Sequence, residues 1–222
     1  MKISIISQPI LLGFSSHTSM IVELLREAGF RGEVTIVKNI PVDESDYPYL
    51  VDGIWAESMM MDAFEPDVNN TYFLSVVRPP IKELLFDLAC HQLKVTEEDF
   101  PMLIHSSCQV ASTVKIGAAT HIEQSSTIAP YAEIGMGVNI KRGCNIGHHT
   151  RVDDYVTVNP GVVIAGKCHI EKGVMIGVGA TVFDNIHIGA GSIIGGGSLV
   201  TKSIPAGVVA FGNPCKVIRE VS

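Results

Sequence analysis

Aliphatic residues recur at every sixth position through the second half of this chain. Counting in sixes from Ile104 to Val200 visits seventeen positions, and each of them is isoleucine or valine. This period matches neither an amphipathic helix, which repeats about every 3.6 residues, nor a simple strand, which repeats about every two. It is the pattern of a parallel β-helix built from short strands and tight turns, with the aliphatic side chains stacked inside.

A second set of positions, at the same period, holds small or β-branched residues. Three of the five cysteines fall in it: Cys108, Cys144 and Cys168. We therefore expect these cysteines to fill space inside the β-helix. Glycine often follows the aliphatic residue directly, as at Gly147 and Gly177. We expect such glycines to adopt turn conformations that are closed to other residues.

The first hundred residues alternate between strand-like and helix-like patterns. The apolar run at residues 2–7 predicts a buried strand, followed by a loop where Gln8 interrupts the run. The next segment has apolar residues at helical spacing, which predicts a helix with its N-cap at Ser15 or Ser16 and its end at Gly29.

Two more strands and one more helix are predicted before the period-six region begins. They are GEVTIVKN (32–39), TYFLSVV (71–77) and PPIKELLFDLACHQLKV (79–95), the last entered through proline. Strands and helices that alternate in this way assemble into a small parallel sheet. We predict an α/β, Rossmann-like domain at residues 1–100 and a β-helix domain at residues 101–222.

Composition narrows the range of functions. The net charge is −7 and there is no run of Lys or Arg, which argues against a nucleic-acid surface. The five cysteines include no C-x-x-C pair, as expected of reduced thiols in a cytosolic protein. No stretch approaches the roughly 20 apolar residues of a membrane span. We therefore expect a cytoplasmic protein without a membrane or nucleic-acid partner.

The repeats resemble those of the hexapeptide-repeat acyltransferases, which implies a left-handed β-helix with about three repeats per coil. The ending IPAGVVAFGNPCKVIRE is similar to the closing segment of these enzymes, with Cys215 where alanine is usual. The α/β domain, then LIHSSCQVASTVKIGAATHIEQSSTIAPYAEIG, then a histidine-bearing coil, resembles the bacterial sugar acetyltransferases. That group includes sialic acid O-acetyltransferases and nucleotide-amino-sugar N-acetyltransferases and implies a role in polysaccharide biosynthesis.

The resemblance implies direct transfer of an acetyl group from acetyl-CoA to an amino or hydroxyl group of a sugar, with a histidine as general base. The family's Asn-His-Asp/Glu segment falls on GHH before DYV, which places the base on His148. His149 then stands where the family usually has a carboxylate. Either an acid comes from elsewhere, with Asp153 and Asp154 as local candidates, or the base is weaker.

The family also implies where the coenzyme binds. Backbone contacts to acetyl-CoA fall near Thr157, Gly166, Val178 and Gly196, with Lys202, Lys216 and Arg219 as candidate phosphate partners. Gly166 is the expected N–H donor to the thioester oxygen. The family forms homotrimers that hold the coenzyme in the groove between subunits, and no metal is expected.

The acceptor side departs from the family. The family's Gly-Gly-His-Gly turn becomes FSSHT, which keeps His17 but has Ser15 and Ser16 before it. Lys38 and Asn39 stand where acidic residues follow the second strand. Since the family holds the nucleotide of its substrate with these features, we expect these five residues to contact the acceptor. The sugar, the nucleotide and the acylated atom stay open.

Two other functions stay open. One is a non-catalytic β-helix scaffold, which the altered FSSHT turn favours and His148 and the GNPCK ending oppose. The other is a β-helix carbonic anhydrase, which needs three zinc-binding histidines at a spacing that is absent here. The remaining histidines of the repeats are expected at the surface: His105, His121, His169 and His187.

Overall fold

The chain begins with a small α/β domain and continues as a three-sided parallel β-helix, in a computed structural model that describes residues 8–40 and 53–221. The α/β domain contains β1 Gln8–Leu12, α1 Thr18–Glu27, β2 Gly32–Lys38, β3 Ile54–Met60, β4 Asn70–Leu74 and α2 Pro79–Gln92, with short 3₁₀ helices at Met61–Ala63 and Glu97–Asp99. Its strands are all parallel, in the order β3-β2-β1-β4. The predicted small parallel sheet is therefore confirmed.

Strand β1 lies where the sequence predicts a loop. Gln8 and Pro9 belong to β1 and pair with the start of β4. Proline lacks an N–H, but it is tolerated here because pairing with β2 begins only at Ile10. The strand predicted at residues 2–7 lies outside the described residues.

The start of α1 also differs from the prediction. Its N-cap is His17 and not Ser15 or Ser16. Ser15 Oγ instead donates to Ser75 O (2.7 Å) and accepts from the His17 N–H (3.1 Å), so it ties the β1–α1 turn to the end of β4. Gly29 follows the helix with φ +95°, in agreement with the predicted end. No helix in the described part of the chain is long and apolar enough to cross a membrane.

The β-helix is built from seventeen strands of two residues each. In chain order they are β5 Leu103–Ile104, β6 Gln109–Val110, β7 Lys115–Ile116, β8 His121–Ile122, β9 Thr127–Ile128, β10 Glu133–Ile134, β11 Asn139–Ile140, β12 Asn145–Ile146, β13 Arg151–Val152, β14 Thr157–Val158, β15 Val163–Ile164, β16 His169–Ile170, β17 Met175–Ile176, β18 Thr181–Val182, β19 His187–Ile188, β20 Ile193–Ile194 and β21 Leu199–Val200. Ile146 pairs with Ile164, so one coil spans eighteen residues. A hairpin of β22 Val208–Phe211 and β23 Lys216–Glu220 closes the chain.

Each strand pairs with the third strand before and after it, which produces three faces. The docked face contains β5, β8, β11, β14, β17 and β20, and the α/β domain packs against it. The first open face contains β6, β9, β12, β15, β18 and β21, and the second open face contains β7, β10, β13, β16 and β19. Corner 1 joins the docked face to the first open face, corner 2 joins the two open faces, and corner 3 returns to the docked face.

The aliphatic ladder lies inside the β-helix, as predicted. From Ile122 to Val200 every ladder residue is buried, with at most 4 % of its surface exposed. Ile104, Val110 and Ile116 are half-buried because they form the first coil, which has a neighbouring coil on one side only. The cysteines predicted to fill the interior pack against the same ladder: Cys108, Cys144 and Cys168.

The glycines beside the ladder are predicted to adopt turn conformations, but their role in the structure is to let successive coils approach closely. A Cβ on Gly147 would collide with the backbone of Ala165, one coil away. Positive φ angles occur two residues after such positions, as at Gly137 (+62°), His149 (+57°) and Lys167 (+58°). The corner therefore imposes a left-handed conformation on whichever residue occupies that position.

A buried lysine anchors the α/β domain on the docked face. Lys82 of α2 is fully buried. Its Nζ lies within hydrogen-bonding distance of Gly137 O (2.8 Å), Asn139 Oδ1 (2.8 Å), Val156 O (3.0 Å) and Thr157 Oγ1 (3.0 Å). Burial lowers the pKa of Lys82 well below its ordinary value. Hydrogen bonds to these four oxygens replace those that Nζ would make to water. The contact therefore fixes α2 against the β-helix.

Two histidines meet beside this lysine. The amide nitrogen of Asn139 lies 3.3 Å from His17 Nε2 and 3.4 Å from His121 Nδ1. Because the amide oxygen accepts from Lys82, the NH₂ group donates to both rings, which accept as neutral imidazoles. His121 is predicted at the surface, but it is only 1 % exposed because the α/β domain covers the docked face. Burial lowers the pKa of His121 to about 3 and that of His17 well below its ordinary value.

Candidate active site

Corner 2 carries two adjacent histidines on the exposed surface. His148 and His149 follow β12, and both are exposed. Their Nδ1 atoms lie 3.0 Å apart and their rings are nearly perpendicular, at 87°. One Nδ1 must donate and the other accept, so the contact orients both rings. Among the described residues, Nε2 of His148 makes no hydrogen bond, which leaves it available to a substrate.

Neighbouring coils hold this pair from both sides. Tyr131, one coil earlier at the same corner, packs its ring against His149 with centroids 5.0 Å apart. Gly166, one coil later, lies directly against the His148 ring, because a Cβ there would come within 2.8 Å of Cε1 and Nε2. A larger residue at position 166 would therefore displace the exposed nitrogen.

The N–H of Gly166 already has an acceptor. It donates to Asp184 Oδ1 at 2.9 Å, one further coil along corner 2. The sequence predicts this N–H as the donor to the thioester oxygen, and that role stays a prediction in which the oxygen replaces Asp184 as the acceptor. The absence of a side chain at Gly166 leaves room for the ring of His148.

Neither carboxylate predicted to support the base reaches it. Asp153 lies beside the second open face, where its Oδ2 is 2.9 Å from His169 Nε2. Asp154 accepts from a backbone N–H at corner 3, at 2.8 Å. Neither candidate supplies an acid to His148 in this structure, and His149 stands beside His148 in place of a carboxylate.

The residues predicted to bind the coenzyme divide between two corners. Val178 and Gly196 are exposed and lie one coil apart at corner 1. Lys202 is exposed at corner 2, three coils after His148 in the same column. Lys216 is exposed on β23. The first open face separates the two corners, so Val178, Gly196 and Lys202 lie along its two edges, whereas Lys216 lies on a strand that extends the sheet of the docked face.

Thr157 does not belong to either edge. It is 1 % exposed on the docked face, where its Oγ1 donates to Val77 O (2.7 Å) and lies 3.0 Å from Lys82 Nζ. The prediction that Thr157 contacts the coenzyme is therefore corrected, because the α/β domain covers it. The repeat pattern alone does not show which face that domain covers.

The residues predicted to contact the acceptor lie at the carboxyl edge of the parallel sheet. Ser15 and Ser16 follow β1, Lys38 ends β2 and Asn39 follows it. Ser16 is exposed and the other three are half-buried. His17 is 3 % exposed and faces the docked face of the β-helix. A substrate could reach His17 only if the α/β domain moved away from that face.

Sequence reasoning missed three residues that the structure adds to these regions: Tyr131, Asp184 and Lys82. Tyr131 precedes His149 by one coil, and Asp184 follows His148 by two. The length of the coil could therefore have identified both as neighbours of the histidine pair. No pattern in α2 marks Lys82 as buried, because its burial depends on contact between the two domains.

Neither the comparison with protein-family models nor the one with curated proteins gives a match. Solved structures do match. A histidine-to-asparagine mutant of perosamine N-acetyltransferase from Caulobacter crescentus, in complex with CoA and GDP-perosamine, has a TM-score of 0.81 at 22 % identity, covering 97 % of this chain and 99 % of that one. The acetyltransferase domain of PglB from Neisseria gonorrhoeae, in complex with acetyl coenzyme A, has a TM-score of 0.82 at 21 % identity, covering 95 % and 98 %.

A third similar structure is WeeI from Acinetobacter baumannii, with a TM-score of 0.77 at 22 % identity, covering 96 % of this chain and 100 % of that one. These likenesses extend over both domains, so they confirm the predicted fold class, an α/β domain followed by a left-handed parallel β-helix. This chain therefore has the same fold as these sugar acetyltransferases.

Proposed function

We propose that this protein transfers an acetyl group from acetyl-CoA to an amino or hydroxyl group of a sugar. The observation that carries the proposal is the environment of His148. Its side chain is exposed, its Nδ1 is hydrogen-bonded to Nδ1 of His149 at 3.0 Å, and its Nε2 has no hydrogen bond to any described residue. An imidazole in this arrangement suits proton abstraction from an incoming nucleophile at neutral pH. Two structures with this fold hold CoA or acetyl coenzyme A, which supports the choice of cosubstrate.

His148 acts as the general base and His149 positions it. For Nε2 of His148 to accept a proton, its Nδ1 must carry the hydrogen and donate it to Nδ1 of His149. His149 then keeps its own proton on Nε2. When His148 becomes an imidazolium, this hydrogen bond becomes charge-assisted and stronger. A neutral imidazole stabilises that charge less than a carboxylate does, so the pair is a weaker version of a histidine–acid pair.

The reaction is a direct transfer. The nitrogen or oxygen of the acceptor attacks the thioester carbon while His148 Nε2 takes its proton. The C–S bond then breaks, and the proton passes from His148 to the departing thiolate. The products are the acetylated sugar and CoA with a free thiol, and His148 returns to its neutral form.

The coenzyme groove forms between two copies of the chain. Val178 and Gly196 lie at corner 1, whereas Gly166 and Lys202 lie at corner 2. These corners are opposite edges of one face, so a single coenzyme contacts both sets when corner 1 of one copy meets corner 2 of the next. Three copies related by rotation close such an assembly, which is the homotrimer that the family resemblance implies.

Exposed apolar side chains support this arrangement. The first open face and its two corners expose Tyr131 (59 %), Val163 (39 %), Val178 (59 %) and Phe183 (49 %). The outward positions of the second open face hold charged residues and histidines instead. Of the two open faces, the first therefore has the more apolar surface, and such surface favours contact between subunits.

The acceptor enters at the carboxyl edge of the α/β sheet, where open α/β folds bind their ligands. Ser16, Lys38 and Asn39 lie at this edge, and the cation of Lys38 suits a phosphate of a nucleotide-linked sugar. An acetylated nucleotide sugar is a precursor for polysaccharide biosynthesis. Free thiols at all five cysteines agree with a cytoplasmic location.

The test is an acetyl-transfer assay with acetyl-CoA and a panel of UDP-, dTDP-, GDP- and CMP-linked amino sugars, sialic acids and unactivated sugars. We expect release of CoA thiol and an acetylated product with one class of acceptor. His148→Ala should lower turnover by about 10²–10⁴-fold while the unfolding midpoint stays constant. His105→Ala is the control, because His105 contacts Ser107 at corner 1 and not the site.

A loss below about tenfold in His148→Ala would exclude it as the base. Absence of transfer to every acceptor, together with no thermal shift at millimolar acetyl-CoA, would contradict the enzymatic function. Transfer to unactivated sugars alone would show that the acceptor edge binds no nucleotide.

A further inference from the structure

The second open face brings together two histidines from successive coils. His169 of β16 and His187 of β19 are register partners, and their rings stack with centroids 5.2 Å apart at 23°. Glu171 places Oε1 2.9 Å from His187 Nε2. One ligand atom from each of the three residues lies within 4.8 Å of the other two. The side chains remain accessible to solvent, with between 32 % and 50 % of their surface exposed.

Neighbouring groups hold these side chains in place. The second oxygen of Glu171 accepts from the backbone N–H of Ala190 at 2.7 Å. His169 Nε2 lies 2.9 Å from Asp153 Oδ2, and the other oxygen of Asp153 accepts from Arg151 Nε at 2.6 Å. Contacts of this kind orient metal ligands in proteins. The cluster therefore has both potential ligands and the outer contacts that keep them in position.

The earlier part of the same face shows an ordinary polar ladder. Lys115 and Glu133 occupy equivalent outward positions on successive coils and form an exposed ion pair at 2.9 Å. Arg151 follows on the next coil and continues the alternation of charge. His169 and His187 break this alternation, since two imidazoles stack directly without an acid between them. Each imidazole instead contacts its own carboxylate, Asp153 for His169 and Glu171 for His187, so two imidazoles and two carboxylates meet here.

We propose that His169, His187 and Glu171 bind one divalent transition-metal ion of the zinc class. Two imidazoles and a carboxylate suit Zn²⁺, whereas Mg²⁺ and Ca²⁺ prefer sites made of oxygen. Three protein ligands and a water complete a tetrahedral site. The sequence by itself predicts no metal, because the two histidines are a full coil apart and meet only when the coils stack.

Such an ion would link two coils at a place separate from the acetyl-transfer site. His169 and His187 lie on the second open face, whereas His148 lies at corner 2. Each coil of a solenoid contacts only its neighbours, so a cross-link between two coils stabilises that part of the fold. Metal binding should therefore raise the unfolding temperature of the chain.

The experiment uses the intact chain, freed of metal with a chelator and then dialysed against Zn²⁺ or, separately, Mg²⁺. We expect about one zinc per chain, no retained magnesium, and a higher unfolding midpoint with zinc only. His169→Gln and His187→Gln should each weaken zinc binding by at least about tenfold. His105→Gln, which changes a histidine outside the cluster, should leave zinc binding unchanged.

Circular dichroism establishes that each variant keeps the fold, and Co²⁺ provides a second measurement through its visible absorption. His187→Gln should remove that absorption, while His149→Gln should preserve it. If His149→Gln removes the metal and His187→Gln does not, zinc binds at corner 2 and the proposal fails. Zinc uptake far below one ion per chain would overturn it as well.

Discussion

His149 occupies a backbone conformation that costs free energy at this one residue. Its φ is +57°, in a region disfavoured by roughly 1–2 kcal/mol for residues other than glycine. Such strain often accompanies a functional site. Tyr131 and Lys167, however, have φ values of +62° and +58° at the same corner position. The conformation therefore belongs to the corner, and the role of His149 rests on its contact with His148.

Replacing His149 by glycine should separate folding from catalysis. Glycine adopts a φ of +57° without strain, so the free energy of unfolding should not fall. Loss of the contact to His148 Nδ1 leaves that ring unoriented, so turnover should fall by up to about 100-fold. Chemical denaturation and steady-state kinetics measure the two effects. Lys167→Gly is the matched control and should keep full turnover, whereas equal losses of stability and turnover in His149→Gly would assign His149 a structural role.

Replacing His149 by aspartate should strengthen the base. A carboxylate favours the protonated form of the adjacent imidazole, so the acid limb of the profile of kcat/KM against pH should move to higher pH. His149→Asn has a similar shape without the charge and should not produce that movement. A limb that stays in place in His149→Asp would show that His148 is not the group whose ionisation controls the rate.

At the scale of the element, each two-residue strand contains one inward and one outward side chain. In β10, Ile134 is 4 % exposed, while the side chain of Glu133 is 51 % exposed and pairs with Lys115. Ile134→Ala should lower the free energy of unfolding by about 2–5 kcal/mol, because it leaves a cavity in the ladder. Glu133→Ala should leave it nearly unchanged, because exposed ion pairs contribute little to stability. Urea denaturation of both variants measures the two changes in the free energy of unfolding. Similar losses in both variants would contradict the conclusion that the inward side chains stabilise the β-helix.

The docked face should make stability dependent on pH. Burial and the charge of Lys82 lower the pKa of His121 to about 3 from an ordinary 6.5, and burial lowers the pKa of His17 as well. Between these values the unfolded chain binds more protons than the folded chain, so stability falls as the pH drops from 6.5 towards 3. The slope is at most about 1.4 kcal/mol per pH unit for each histidine. Two further ionisable groups act on this cluster: Glu123, which is buried 3.9 Å from His17, and Lys141, whose charge also lowers the pKa of His17.

Unfolding in urea at pH 7 and at pH 5 measures this effect. His121→Gln should lose less stability over that interval than the unchanged chain does, because one of the two buried imidazoles is gone. His105→Gln should behave like the unchanged chain, because the ring of His105 is only half-buried and contacts the exposed Ser107. An identical loss in His121→Gln and in the unchanged chain would show that His121 does not control the pH dependence.

At the scale of the whole molecule, subunit contact and coenzyme binding should depend on the same face. Val163→Glu places a charge in the middle of the first open face, where Val163 is 39 % exposed. We expect sedimentation velocity to show trimers for the unchanged chain and smaller species for Val163→Glu, with loss of the thermal shift caused by acetyl-CoA. Lys115→Gln on the second open face should keep both properties. A trimeric Val163→Glu that still responds to acetyl-CoA would place the subunit contact elsewhere.

The sequence by itself determined the features that repeat. The ladder, the period of six and the parallel pairing follow from side chains that recur at one spacing, because identical coils stack in only one register. The sequence also predicts that His148 and His149 are exposed, because the pair falls at a corner of that repeat.

Only the tertiary structure decided which faces are covered and which side chains meet across coils. Thr157 is buried beside Lys82 of α2, and His121 is buried beside Phe73 of β4. No local pattern encodes either contact. His169 and His187 form a cluster because the strands that carry them are register partners one coil apart. The physical reason is the same in both cases: periodicity fixes how a coil stacks on its neighbour, whereas contacts with a different domain and the chemistry of stacked side chains arise only when distant segments pack together.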